Sequence, residues 1–159
     1  MDKLITGYMT SPLGTVRLQH SGKGICSLIF VDHELPETEH YSELDECKQQ
    51  LNEYFEGIRK EFNLILDLDG TDFQKLIWME LYKIKFGQTL TYADIARKIG
   101  DMKSIRAVGR ANATNPVSII VPCHRVIGSD GSLTGYAGGL WRKKWLLEHE
   151  QKHFQLSLF

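Results

Sequence analysis

Two prolines frame the stretch that constrains this chain most. Between Asn115-Pro116 and Pro122 runs Val117-Ser118-Ile119-Ile120-Val121, and directly after it stand Cys123-His124-Arg125-Val126. A short apolar run between breakers predicts a buried strand over 117–121. Pro122 has no N–H to give to a ladder, so strand pairing has to stop there. The run therefore delivers a thiol to a bend at the exit of a buried segment, where a side chain can meet a cleft. In an extended chain, neighbouring side chains point to opposite faces. His124 then reaches the Cys123 sulfur only through a backbone turn or a bridging water. A base placed there raises the thiolate fraction of a thiol whose ordinary pKa is about 8.5. Many buried cysteines are only small hydrophobes, but Pro-Cys-His-Arg is too polar for ordinary core. No second Cys/His pair stands at zinc-ligand spacing, which speaks against a metal.

The 159 residues suit one domain or two small ones sharing a core. The first residues carry no apolar signal-peptide core, and no run is long enough to span a bilayer. Three cysteines, Cys26, Cys47 and Cys123, form no disulfide framework and suggest a reducing, cytoplasmic setting. The net charge of −1 says nothing about polyanions, but its distribution does. Residues 1–72 carry 6 basic and 14 acidic side chains, and residues 73–159 carry 13 basic and 6 acidic ones. Such asymmetry suggests that the second half meets a polyanion.

Alternating apolar segments at 4–9, 15–20 and 25–31 are separated by Pro12-Leu13-Gly14 and Ser21-Gly22-Lys23-Gly24. They predict a three-stranded antiparallel meander. Ser42 is placed to cap a helix to about Phe55, with Cys47 on its inner face. Residues 63–68 read as a further short strand or linker. Thr71 or Asp72 caps a helix to about Ile84, with Phe73, Leu76, Ile77, Leu81 and Ile84 as its stripe. Thr91 with Asp94 starts a short helix that Gly100 ends, and Ser104 caps another over 105–113. Two short helices across a glycine-containing connection fit a helix-turn-helix. The second is basic, with Arg106 and Arg110, and otherwise small, with Ala107, Gly109, Ala111 and Ala113. Such a helix can lie close to a phosphate backbone or groove. A glycine-rich loop, Thr134-Gly135-Tyr136-Ala137-Gly138-Gly139, lacks the lysine of a phosphate loop and could admit a planar group beside Tyr136. A last helix is expected over 140–149, with Leu140, Trp141, Trp145, Leu146 and Leu147 partly inward and Glu150 at its end.

Thr91-Tyr92, Arg106-Ala107-Val108-Gly109, Asn115-Pro116, Pro122-Cys123-His124-Arg125-Val126, Gly135-Tyr136 and Trp145-Leu146-Leu147 with Glu150 stand in one order along the chain. Together they resemble the motifs of the O6-alkylguanine-DNA alkyltransferases. The resemblance is close over about 73–150 and looser before it. It implies an α+β fold: a small amino-terminal α/β domain with antiparallel strands, then a helical carboxy-terminal domain containing the helix-turn-helix. The expected bounds are 1–70, 71–153, and a tail over 154–159. It implies a single-use repair protein that takes the alkyl group of O6-alkylguanine, and of O4-alkylthymine, onto its own cysteine after base flipping. Cys123 would be the nucleophile, His124 its base through a water, and Glu150 the group that orients His124. Asn115 would brace the active-site turn. Tyr92 would act at the flipped nucleotide. Arg106 would fill the vacated stack, with Ala107, Gly109 and Arg110 against the DNA. Tyr136, Ala137 and Gly138 would line the base pocket. Neither metal nor cofactor is implied, and the protein is expected to be a monomer acting on duplex DNA.

Three other readings fit less well. Alkyltransferase-like lesion binders lack the cysteine. A regulator with a structural cysteine leaves Tyr136 and Glu150 unexplained. A cysteine hydrolase needs a direct Cys-His pair, which adjacent residues cannot form without strain. Beyond these motifs, Gln155-Leu156-Ser157-Leu158-Phe159 resembles the linear motif by which bacterial replication and repair proteins bind the sliding clamp. It offers a polar rim contact and three apolar anchors.

Overall fold

A computed structural model describes residues 3–37 and 39–156. The chain forms two compact units, Met1–Asp69 and Gly70–Phe159, each described here by itself. In the first, β1 (Ile5–Ser11), β2 (Gly14–His20) and β3 (Ile25–Val31) form an antiparallel sheet in the order β1-β2-β3. The expected meander is present, with Met9 opposite Val16 and Leu18 opposite Leu28. These four side chains, with Ile5 and Ile25, are buried. They meet α1 (Asp45–Phe55), which turns Cys47, Leu51 and Tyr54 inward at helical spacing. Full burial of a side chain such as Leu51 contributes roughly 1.5–3 kcal/mol. Gly7 lets the helix approach, since a Cβ there would stand 2.5 Å from Leu44 Cδ1. The stretch at 63–68 is no independent strand. It adds one parallel bridge to β3, where Ile25 N–H donates to Ile65 O and Asp67 N–H to Ile25 O, both at 2.9 Å. Ser42 does not cap α1. It opens a 3-10 turn, Ser42–Leu44, and Leu44 stands at the N-cap with no side-chain bond.

The second unit opens with α2 (Asp72–Tyr82), held by a capping box between Thr71 and Gln74. A cap of this kind contributes about 1 kcal/mol. Of the expected stripe, Ile77, Leu81 and Ile84 are buried, and the difference lies at Leu76 and Trp78. Ile77, Trp78 and Leu81 point inward while Leu76 is 46% exposed. Trp78 decides the rotation, because its Nε1–H donates to the Ala111 carbonyl at 2.9 Å. A two-residue strand β4 (Leu90–Thr91) leads into α3 (Tyr92–Lys98), whose capping box joins Thr91 and Asp94 as expected. Gly100, at φ +79, turns the chain where a side chain would be strained. A 3-10 turn capped by Asp101 then leads to α4 (Ile105–Ala113). Ser104 makes no cap bond; its hydroxyl donates instead to the Asp101 carbonyl at 2.6 Å. Strand β5 (Val126–Ile127) pairs in parallel with β4.

The last helix, α5 (Leu140–Leu156), runs past the expected end, so Phe154, Gln155 and Leu156 of the anticipated tail are helical. Its inner face is only partly the one expected: Leu146 is buried and Trp145 and Leu147 are half-buried, as expected. Leu140 and Trp141 are 50% and 56% exposed, while Lys143, Leu146, His149 and Glu150 are buried. Three of these four are polar, which is why an apolar stripe misplaced the face. Among the described residues, no helix is long and apolar enough to cross a membrane.

Candidate active site

The proline-framed run does not form a strand. Past the end of α4 the chain makes a buried turn, in which Val121 N–H donates to Val117 O at 3.0 Å and Ile120 N–H to Ser118 O at 2.9 Å. Ile119 sits at φ +72, a left-handed conformation that costs a β-branched residue energy and persists only where its surroundings impose it. Asn115 supplies that constraint. Its side-chain oxygen accepts from Val117 N–H at 3.0 Å, and its amide donates to Val121 O at 2.7 Å. One side chain thereby satisfies main-chain groups at both ends of the turn, where a strand would have used a ladder. Cys123 then begins a 3-10 turn, Cys123–Arg125, its N–H donating to Val121 O at 2.8 Å. Asn112 Nδ2 donates to the Cys123 carbonyl at 3.4 Å. The tightness of this turn lets both Cys123 and His124 be buried, which an extended chain would not allow.

Glu150, seven residues along α5 from Lys143, closes the cluster. His124 Nε2 lies 2.6 Å from Glu150 Oε2, and Arg125 grips the same carboxylate with Nε at 2.8 Å and Nη2 at 3.1 Å. Arg125 Nη1 also donates to the Ile84 carbonyl at 2.5 Å. Burial works to raise the Glu150 carboxyl, but the hydrogen bonds and charges of His124 and Arg125 outweigh it and hold it well below the usual carboxylate range. Burial lowers the His124 pKa, against the opposing pull of Glu150, so the imidazole is neutral near pH 7. An ionised carboxylate can only accept. Nε2 therefore carries the ring proton and donates it, and Nδ1 keeps a free lone pair. That Nδ1 is buried and has no hydrogen-bond partner. No direct hydrogen bond joins it to the Cys123 thiol.

Burial also raises the thiol pKa of Cys123. Asn115, the Lys143 charge and the N–H groups of Cys123 and His124 pull the other way. Lys143 was not anticipated from the sequence. Its side chain is fully buried, and Nζ donates to Val126 O at 2.6 Å and Thr134 O at 2.7 Å. Burial pushes its pKa down to about 8, and the Cys123 charge opposes this. Arg125 was quoted in the motif without a role, and it proves to be the clamp on Glu150. A basic residue on a buried helical face looks like surface in one sequence, so only the facing carbonyls and thiol reveal Lys143.

Tyr136 brings its hydroxyl to the same place. The group is buried and makes no regular hydrogen bond, although Ser118 lies near enough to pull its pKa down; burial, with the nearby Cys123 charge, outweighs that and raises it well above the ordinary value. Among the described residues, buried polar atoms without partners are few, and His124 Nδ1, Tyr136 Oη and Asn112 Oδ1 all belong to this unit's cysteine region. Such open valences suit water or a substrate. Ala137 is exposed, and Gly138 gives its carbonyl to Arg142 Nη1 at 2.8 Å, so the glycine-rich loop is tied to α5. A groove of about 500 Å³ lies between α3, α4 and this loop, lined by Tyr92, Gly109, Ala113, Thr134 and Gly135 among others. Arg106 and Arg110 are exposed on α4, and Ala107 and Gly109 are partly buried. No group of three His, Cys, Asp or Glu side chains among the described residues could hold a metal ion.

Residues 72–152 match the family described as 6-O-methylguanine DNA methyltransferase, DNA binding domain, and residues 4–68 match its ribonuclease-like domain. The methylated-DNA–protein-cysteine methyltransferase of Methanosarcina barkeri is 45% identical over 91% of this chain and 96% of its own length. That of Mycobacterium tuberculosis strain H37Rv is 44% identical over 93% of each. The crystal structure of the M. tuberculosis O6-methylguanine methyltransferase superposes with a TM-score of 0.87 at 41% identity, covering 95% of this chain and 94% of the other. A structure of the M. tuberculosis protein in complex with DNA gives 0.85 at 42% identity, covering 93% of each.

Proposed function

Since the chain belongs to the 6-O-methylguanine DNA methyltransferase family, we propose that it repairs DNA by moving the alkyl group of O6-alkylguanine onto Cys123, once per molecule. One observation supports this most. His124 Nε2 stands 2.6 Å from a carboxylate oxygen of Glu150, and its Nδ1 is buried without a partner in the turn that holds the thiol. A water between them takes the thiol proton to Nδ1, and Glu150 stabilises the imidazolium that results. The Cys123 sulfur forms a bond to the alkyl carbon while the bond from that carbon to guanine O6 breaks. The electron pair leaves with the base, which takes back a proton, with Tyr92 as donor at the flipped nucleotide. The products are ordinary guanine and a thioether. A thioether has no good leaving group, so the protein does not turn over.

The reacting carbon lies inside a base-paired stack and has to be extruded to be reached. Arg106, exposed on a helix of small residues, suits the vacated space, with Ala107, Gly109 and Arg110 close to the backbone. O4-alkylthymine presents an analogous carbon. Tyr136, Ala137 and Gly138 would form the base pocket. Three free cysteines suit the cytoplasm, where thiols stay reduced.

Duplex DNA carrying labelled O6-methylguanine tests the reading. One equivalent of label should appear on Cys123. Label released as methanol, or more than one equivalent transferred, would end it. Arg106→Ala should slow repair in duplex far more than reaction with the free alkylated base; equal losses would remove the extrusion role.

The terminal motif supplies a second partner. Phe154 packs on Gly87, where an added Cβ would stand 2.7 Å from the Phe154 ring, and this anchors the end of α5. Gln155 and Leu156 beyond it are exposed; Ser157, Leu158 and Phe159 lie outside the described residues. A bacterial sliding clamp would take these five residues in an apolar pocket. The full chain should bind purified clamp and a chain ending at Phe154 should not. Equal binding by the two removes the partner.

A further inference from the structure

Asn112 stands in the last turn of α4 and is 3% exposed. Its Nδ2 donates to the carbonyl of Cys123, the residue that carries the thiol. A carbonyl oxygen only accepts, so this contact fixes which end of the amide faces it. The other end, Oδ1, is one covalent step further on, buried and without a hydrogen-bond partner. Buried polar groups are nearly always paired, and an acceptor left open costs stability. An apolar side chain of the same size would fill the position without that cost. Asn115 shows the contrast three residues later. Both ends of its amide bond main-chain groups of the turn that leads to the cysteine. Asn115 is used up in holding the turn, and Asn112 keeps one acceptor open beside it.

We infer that Asn112 is a specificity-determining residue for the base, its Oδ1 accepting an N–H of the exocyclic 2-amino group of the flipped guanine. The inference rests on the alkyl-transfer reading above and names one contact of that same site. Alkylation at O6 removes the proton from guanine N1. N1, N3 and N7 then only accept, N9 is bonded to the sugar, and the 2-amino group is the one N–H donor left on the base. An open acceptor beside the thiol can be satisfied by that group and by no other part of the lesion. A flipped base is read along this edge. A site built to bond an N–H discriminates against the analogue that lacks it, because its own polar group is then left unpaired. O6-methylhypoxanthine is that analogue. It has the same ring and the same methyl ether but no 2-amino group, so it offers the same carbon to the sulfur and leaves Asn112 Oδ1 open.

The test compares single-turnover transfer from duplexes carrying O6-methylguanine or O6-methylhypoxanthine to the full chain, to Asn112→Leu and to Asn112→Ala. The unaltered chain should prefer methylguanine. Both variants should reduce that preference by roughly 5- to 150-fold, the usual cost of one unpaired buried polar group written as a rate ratio. The two substrates are compared within one protein, so a general loss of folded or active chain cancels from the ratio. Leucine keeps the bulk of the side chain and alanine does not, so a fall in both assigns the effect to the acceptor. The same preference in all three proteins, or none in the unaltered chain, overturns the inference, since Oδ1 would then hold only water. Shifts of opposite sign in the two variants also overturn it, because volume would be the cause. No transfer from methylguanine to the unaltered chain would instead overturn the alkyl-transfer reading, and the contact with it.

Discussion

Cys47 and Cys123 are both buried thiols, 1% and 5% exposed, one in each unit. Burial raises both, Cys47 to about 12 with only Lys48 opposing it. The surroundings of Cys123 differ in kind. Asn115, Lys143 and two main-chain N–H groups favour its thiolate, and His124 stands next to it with an open lone pair. Cys47 lies on a helix face with Leu51 and Tyr54, where a departing proton has no acceptor built for it. Burial alone makes a thiol inert. On the proposed function, the same burial beside a cation, a base and N–H donors makes Cys123 the nucleophile, its charge stabilised only when it is needed.

The largest effect should come from exchanging the two roles. Cys123→Ala should abolish alkyl transfer and keep DNA binding. Cys47→Ala should keep full transfer and cost about 1–2 kcal/mol of stability, as a small core deletion does. Denaturant titration and labelled-duplex transfer measure the two. Residual transfer in Cys123→Ala would move the nucleophile elsewhere and dissolve the contrast.

Next in size is Glu150→Gln. It leaves the Arg125 guanidinium buried without its carboxylate, which typically costs about 3–5 kcal/mol. It also removes the negative charge beside His124 Nε2 and puts there an amide that can present either its oxygen or its N–H, so the His124 tautomer is no longer fixed. Alkylation of Cys123 by iodoacetamide, followed by peptide mass spectrometry, should slow near pH 7, while alkylation of Cys26 on the other unit stays the same. Equal slowing at both cysteines would show a general change of structure and no relay.

The helix starts near Thr71 and at Thr91 were legible because each cap is a local pattern, although the sequence left Thr71 and Asp72 as alternatives and did not show the partner Gln74. The meander was legible because alternation and turn residues agree. The turn at 117–121 was not. Five residues, four of them apolar, look the same whether their main chain bonds to a neighbouring strand or to the Asn115 side chain. The inner face of α5 was hidden for a related reason. Lys143 and Glu150 are inside because Val126 O, Thr134 O, His124 and Arg125 meet them there, and none of these is near in sequence. Glu150 was found only through the family motif. Polar burial is set by partners, and partners are long-range.

Lys143→Met should have a smaller effect. It keeps the bulk of the side chain and removes the charge that favours the Cys123 thiolate. The pH profile of Cys123 alkylation should move to higher pH and the rate near pH 7 should fall several-fold, within the range of about 1 kcal/mol expected from one charge near a buried site. Lys143→Arg, which keeps the charge, should recover part of the rate. If Arg and Met were equally slow with unmoved profiles, the lysine would serve packing only.

Near pH 7 the smallest effect belongs to Cys47, because it appears only in alkaline solution. Its folded pKa is raised from the ordinary 9.0 to about 12. A raised group contributes stability that is complete below the unfolded pKa and is lost as pH rises toward the folded one. Between pH 9 and 12 the unfolded chain sheds this proton while the fold retains it, so stability should fall by about 1.4 kcal/mol per pH unit from this group. Lys143 acts in the opposite sense. Its folded pKa of about 8 lies below the ordinary 10.5, so it adds stability as pH rises between those values. Cys123 falls in the same sense as Cys47. Both Lys143 and Cys123 are present in Cys47→Ala, so subtracting its stability curve from that of the unaltered chain isolates Cys47. The difference should be flat below about pH 8.5 and then move toward the variant. Parallel curves to pH 10 would mean that the Cys47 thiol ionises in the fold as freely as in the unfolded chain, and its burial would no longer be the reference against which Cys123 is activated.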